Sequence, residues 1–124
     1  MRQLPADRIK APDTLRAAAG DYIAPVASDI LDLSTRYLAN RKTDVERLRA
    51  ALAARNFSAL QHIGECMFCA GAPYGFRKIT IFGRQIREAC AQHDAKRIWP
   101  VLDEYEDYLA KVRILKVDPP ALPR

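Results

Sequence analysis

All three cysteines and both histidines of the chain lie between residues 60 and 95, as His62, Cys66, Cys69, Cys90 and His93, with Glu65 among them. Cys66-Met67-Phe68-Cys69 has the C-x-x-C spacing that serves zinc sites and dithiol redox centres. The surrounding pattern argues against one shared ion. In a helical hairpin turning near Tyr74, Cys66 falls level with about residue 82 and Cys90 with about residue 58. At a helical rise of about 1.5 Å per residue, these levels are on the order of 12 Å apart along the axis, too far for one tetrahedral ion. A thioredoxin-like pair would open a helix after a strand, whereas this pair falls inside a helical pattern. The thiols are therefore read as small buried or half-buried side chains, with no metal and no cofactor. Asp103, Glu104, Glu106 and Asp107 resemble acid catalysis only in composition, since on a helix they form a solvated face. The chain has no phosphate loop, nucleophile elbow or dinucleotide fingerprint.

The elements that would position these residues follow from apolar spacing. Residues 1–25 are punctuated by Pro5, Pro12 and Pro25, with one candidate helix from Asp13 to Ala19 ended by Gly20. They are read as an N-terminal arm. The body spans residues 26–116, followed by a tail over 117–124 that begins near Asp118-Pro119-Pro120. From about Ala27, Ile30, Leu31, Ser34, Leu38, Val45, Leu48 and Leu52 fall at helical intervals. Thr43 and Glu46 have capping-box spacing, so this stretch is either two helices meeting near Asn40 or one long helix with a polar interval. Asn56 suits a helix C-terminus and Ser58 the N-cap of the next helix. That helix buries Leu60, Ile63, Met67 and Ala70, and Gly71-Ala72-Pro73-Tyr74-Gly75 stops it.

The next helix buries Phe76, Ile79, Gly83, Ile86 and Cys90. Gly83 costs about 1 kcal/mol of helix propensity, which points to close approach by a neighbouring helix. His93 sits at that helix's end, where it favours the terminal carbonyls. Asp94 caps a last helix carrying Ile98, Val101, Leu102, Tyr105, Leu109 and Val112 inward, with Trp99 also at core spacing. Pro100 predicts a kink or a late start. Lys111 to Val117 is the best strand candidate, and a weak one. The expected fold is all-α, an antiparallel four-helix bundle with short connections and an N-terminal arm or short helix.

The 124 residues suit one domain. The net charge of +5 favours acidic partners. Basic residues alternate with acidic ones, as in Arg41-Lys42 before Asp44 and Glu46, and form no arginine stripe with interleaved aromatics, so nucleic acid is not an expected partner. No apolar run approaches the roughly 20 residues needed to span a bilayer. The N-terminus lacks the apolar region of a secretory signal, so the expected compartment is the cytoplasm, with the cysteines as thiols.

The stretch from Tyr37-Leu38-Ala39-Asn40-Arg41-Lys42-Thr43-Asp44-Val45 through Tyr108 resembles a histidine phosphotransfer (HPt) domain, the small helical bundle that passes phosphoryl groups between receiver domains in two-component phosphorelays. The resemblance rests on Leu48, Ala51 and Leu52, the Asn56-Phe57 turn, Ile63-Gly64, Tyr74-Gly75-Phe76, Ile79-Thr80, Gly83, Ile86, Ala89 and Asp94, in order between Tyr37 and Tyr108. The family's central motif is H-x-x-K-G, followed by small residues and a Y-G-F-like turn. Counting back from Tyr74-Gly75-Phe76 places the histidine position at Glu65, the lysine position at Phe68 and the glycine position at Cys69.

In that motif the imidazole is the nucleophile and the lysine neutralises phosphoryl charge. The glycine leaves room for the receiver backbone. Glu65, a carboxylate, repels a phosphoryl group instead; Phe68 supplies no cation and Cys69 fills the gap. The resemblance thus implies a degenerate HPt protein with no catalytic residue, whose surface around His62, Glu65, Cys66, Phe68 and Cys69 has turned from reactive to adhesive. The implied partner is a response-regulator receiver domain or a histidine kinase. Two alternatives stand beside it: an active phosphocarrier using His62 or His93, and a structural or oligomerisation module.

Overall fold

A computed structural model describes residues 22–118. The candidate helix from Asp13 to Ala19 and the residues after Asp118 lie outside this range. The order of elements is strand β1 (Tyr22–Ala27), a 3-10 turn (Ser28–Ile30), helices α1 (Leu31–Ala53), α2 (Phe57–Ala70), α3 (Arg77–Ala91) and α4 (Ala95–Lys111), and strand β2 (Val112–Val117). The molecule is mostly helical, but not purely so. The two strands pair in parallel, from Tyr22 opposite Val112 to Ala27 opposite Val117. A parallel pair needs a crossover, and here all four helices supply it. Strand β1 runs across residues 25 and 26, where arm and body were expected to divide. The weak strand pattern from Lys111 onwards does form a strand, and Val112 opens it rather than closing α4.

Helix α1 is continuous through its polar interval. Thr43 Oγ1 donates to the Asn40 carbonyl at 2.7 Å, a back-bond within the helix rather than a cap. Asp44, buried, is bracketed by Arg41 at 3.0 Å and Arg47 at 3.2 Å. Asn56 caps α2 and does not end α1: its side chain accepts from the Ala59 N–H at 3.1 Å. Arg55, at φ 56°, makes the left-handed turn that closes α1. Asp94 caps α4 as expected, accepting from the Arg97 N–H at 3.3 Å. Helix α4 starts at Ala95 and carries Pro100 inside it, so the proline delays neither its start nor its continuation.

Each helix packs on its neighbour in sequence, and α1 packs against α4. Leu48, Leu52, Leu60, Met67, Phe76, Ile79, Ile86, Ile98, Leu102 and Tyr105 fill the space between them, each almost wholly removed from solvent. Trp99, placed at core spacing by the sequence pattern, remains 38% exposed. Among the described residues no helix is long and apolar enough to cross a membrane.

The tightest contact joins α2 to α3. A Cβ on Gly83 would lie 2.5 Å from the Phe68 nitrogen and 2.6 Å from the Gly64 carbonyl oxygen. A Cβ on Gly71 would lie 2.6 Å from the Thr80 nitrogen. The close approach expected at Gly83 is therefore present, with backbone against backbone. At the hairpin's turn, Gly75 takes φ 102°, and a Cβ there would meet Val26 of β1 at 2.8 Å. Ser34 of α1, fully buried, donates to the Tyr74 carbonyl at 2.7 Å, and Tyr37 stacks on Tyr74 with centroids 4.5 Å apart. The sheet and α1 together hold the turn of the α2–α3 hairpin.

Candidate functional site

Helix α2 turns Leu60, Gly64 and Met67 inward. His62, Glu65, Cys66 and Cys69 point away from these residues on its exposed side, and all four are exposed. Phe68 is half-buried at the edge of this surface.

The Glu65 carboxylate is not left as an isolated charge. Arg87 of α3 meets it with Nε to Oε1 at 2.9 Å. The same guanidinium lies over the Phe68 ring, 4.5 Å from its centroid. The Cys69 thiol donates weakly to Glu65 Oε2 at 3.9 Å. Sequence reasoning placed Glu65, Phe68 and Cys69 together and missed Arg87. The signal was available in the hairpin itself, because Gly83 abuts Gly64 and Arg87 lies one helical turn beyond Gly83. The cation beside Glu65 is thus supplied from the neighbouring helix. The resulting patch is a compensated ion pair laid over an aromatic ring. Its electrostatic repulsion of an approaching anion is correspondingly weaker than that of a lone carboxylate.

His62 lies beside this patch, in a groove whose wall Glu65 shares. It lines an open groove with Phe57, Ser58, Gln61, Glu65, Cys90, Ala91 and His93. This groove lies at the start of α2 and the end of α3, away from the hairpin turn. His93 takes φ 50° just after α3, and its ring meets the Phe57 ring edge-on at 4.9 Å. Cys90 is buried, and that burial pushes its thiol above the ordinary range. Cys66 is exposed and is not among the lining residues. Among the described residues no group of three or more His, Cys, Asp or Glu side chains is placed to hold a metal ion.

A third polar group is internal. Tyr105 is completely buried, and its hydroxyl has no hydrogen-bond partner among the described residues. Burial raises the hydroxyl pKa of Tyr37, Tyr105 and Tyr108 above the ordinary tyrosine range. These groups are neutral at physiological pH and offer no acid–base chemistry there. The Glu65 patch and the adjoining groove at His62, joined through Glu65, form one solvent-facing stretch along α2. No protein-family model, curated protein or solved structure matches the chain.

Proposed function

We propose that this chain is a degenerate histidine-phosphotransfer-type antiparallel four-helix bundle that binds a receiver domain or a histidine kinase without carrying phosphate. The observation that carries this reading is Glu65. It stands at the expected acceptor position on the exposed side of α2, held by Arg87 at 2.9 Å. A carboxylate already paired with a guanidinium has no imidazole nitrogen to form a phosphoramidate. Its neutralised, aromatic-backed surface suits contact with a protein face. The four helices packed in sequence, with α1 on α4, support the same fold reading.

The chain's net charge of +5 favours encounter with the acidic phosphorylation pocket of a receiver. The reading places the protein as a competitor or a tether in a phosphorelay, in the cytoplasm. Titration against the receiver and kinase domains of the same cell, followed by calorimetry, tests it. A complex weakened by Phe68→Ala or Arg87→Ala is the expected result. Absence of any complex at high micromolar concentration removes the reading. Incubation with a phosphorylated receiver carrying labelled phosphate separates binding from transfer. Acid-labile label on the chain that vanishes in His62→Ala would replace this reading with an active carrier.

A further inference from the structure

Two of the three thiols face solvent. The sequence pattern placed all of them as buried or half-buried, but Cys66 and Cys69 are exposed and Cys90 alone is buried. The exposed pair stands three residues apart in the last turns of α2, with Met67 between them turned into the core. Side chains at this spacing are neighbours on a helix surface, with Cβ atoms about 5–6 Å apart. Cys66 and Cys69 therefore form an exposed dithiol. Two chemistries are open to such a pair: oxidation to a disulfide, or closure over a soft ion.

Packing decides between them. A disulfide needs its Cβ atoms to close to about 3.5–4.5 Å, so the backbone carrying the cysteines would have to bend. That backbone is pressed against α3, since a Cβ on Gly83 would lie 2.5 Å from the Phe68 nitrogen. Bending it breaks the contact that joins the hairpin. An ion between the sulfurs removes the need: two metal–thiolate bonds of about 2.3 Å each suit Cβ atoms left at helical spacing. Among the described residues no group of three or more His, Cys, Asp or Glu side chains is placed around one point, which leaves no tetrahedral zinc site. The adjacent carboxylate, Glu65, is engaged by Arg87 at 2.9 Å. Two thiolates alone suit a soft monovalent ion that accepts linear two-coordination, and copper(I) is that ion.

We propose that Cys66 and Cys69 form a two-coordinate thiolate site for copper(I). Binding forms two copper–sulfur bonds and releases two protons, one from each thiol, with no change in oxidation state. The Cys69 thiol already donates to Glu65 Oε2 at 3.9 Å, so that carboxylate is placed to take its proton on the way to solvent. Two thiolates around a monovalent cation leave one net negative charge. Arg87, paired with the same carboxylate at 2.9 Å, supplies positive charge beside it. The site stands whether or not this face docks a receiver, so it does not rest on the phosphorelay reading.

Titration of the full chain with copper(I) against the chromophoric chelator bicinchoninate, under argon and with a phosphine reductant, tests it. One ion per chain is expected, with a thiolate-to-copper charge-transfer band in the ultraviolet. Cys66→Ser and Cys69→Ser are each expected to weaken the affinity at least about a hundredfold, more than loss of an outer partner of a metal site costs. Cys90→Ala is expected to retain it. Both serine variants change exposed side chains, so they keep the fold, which circular dichroism verifies. Silver(I), a redox-inert two-coordinate ion, is expected to bind the same pair in native mass spectrometry. Absence of a one-to-one complex overturns the proposal, as does unchanged affinity in either serine variant or loss of binding in a folded Cys90→Ala. One ion per two chains, or displacement of copper(I) by equimolar zinc, overturns it too. So does an intrachain Cys66–Cys69 disulfide that persists in excess reduced glutathione, because it shows that the backbone closes without an ion.

Discussion

Replacing Gly83 by alanine sets two effects of known size against each other. On an isolated helix the change is favourable by about 1 kcal/mol. In this fold the new Cβ would sit 2.5 Å from the Phe68 nitrogen, 2.6 Å from the Gly64 oxygen and 2.8 Å from the Met67 Cβ. Ordinary contact for such atoms begins near 3.4 Å. Helices α2 and α3 must therefore part by about 1 Å, and the first two obstacles are backbone atoms that no rotamer change can move. Overpacking of this kind costs about 1–3 kcal/mol, and the upper end applies where backbone is the obstacle. The expected net loss is about 1–2 kcal/mol after the propensity gain.

Gly64→Ala is the internal control, since its Cβ would meet Ile86 Cγ2 at 3.0 Å and the Gly83 oxygen at 3.3 Å. A side chain can yield by a few tenths of an ångström, so this variant is expected within about 0.5 kcal/mol of the parent chain. Urea unfolding followed by helical circular dichroism measures both, and a loss of 1 kcal/mol corresponds to roughly 4–8 °C in thermal midpoint for a domain of this size. If Gly83→Ala is as stable as Gly64→Ala, or more stable than the parent, the backbone contact between α2 and α3 is wrong. The placement of Arg87 against Glu65 then fails with it.

Three further outcomes follow from named contacts. Ser34→Ala leaves the Tyr74 carbonyl without its 2.7 Å donor in a buried place and is expected to cost about 1–2 kcal/mol in the same urea assay. Tyr105→Phe removes a buried hydroxyl that has no partner, so it is expected to be neutral or stabilising, by up to about 1 kcal/mol. It also bears on alkaline stability. Burial raises the folded pKa of Tyr37, Tyr105 and Tyr108 above the unfolded value of 10.0, so unfolding releases protons above pH 10 and stability falls as pH rises. Each such tyrosine contributes up to about 1.4 kcal/mol per pH unit there, and Tyr105→Phe is expected to flatten the fall measured by urea unfolding between pH 10 and 12. Glu65→Gln breaks an ion pair whose side chains are 51% and 36% exposed, so calorimetry and urea unfolding are expected to show a stability change under about 1 kcal/mol.

The helices were legible because their evidence is local. Periodic apolar residues from Leu60 to Leu109 gave α2, α3 and α4, Asp94 gave a cap, and a glycine at a costly position gave a close helix contact. Asn56 was misplaced by one element because the left-handed residue that ends α1 is Arg55, not the glycine or asparagine that usually signals such a turn. The sheet was harder to read for two reasons. Pro25 sits inside β1 and argues against a strand, and the pairing joins residues some 90 positions apart. Of the site, the exposed face of α2 was legible and its counter-ion was not. Arg87 reaches Glu65 only through the register of two helices, which no single segment encodes.

That register ties the site's chemistry to the packing beneath it. Gly64 and Gly83 let the two backbones touch, and the residues one step and one turn beyond them, Glu65 and Arg87, are thereby brought to 2.9 Å. Larger residues at the glycines would separate the helices and leave an unneutralised carboxylate on the surface. The sheet adds a second restraint, because Val26 of β1 packs against the space above Gly75 at the turn. The hairpin is therefore fixed at its turn by β1 and along its length by glycine contacts. A site that reacts needs an exposed nucleophile free to accept a group; a site that binds needs a surface whose shape and charge are set before the partner arrives. Glu65, clamped by Arg87 over Phe68 on a hairpin held in this way, belongs to a surface whose shape and charge are set by the fold itself.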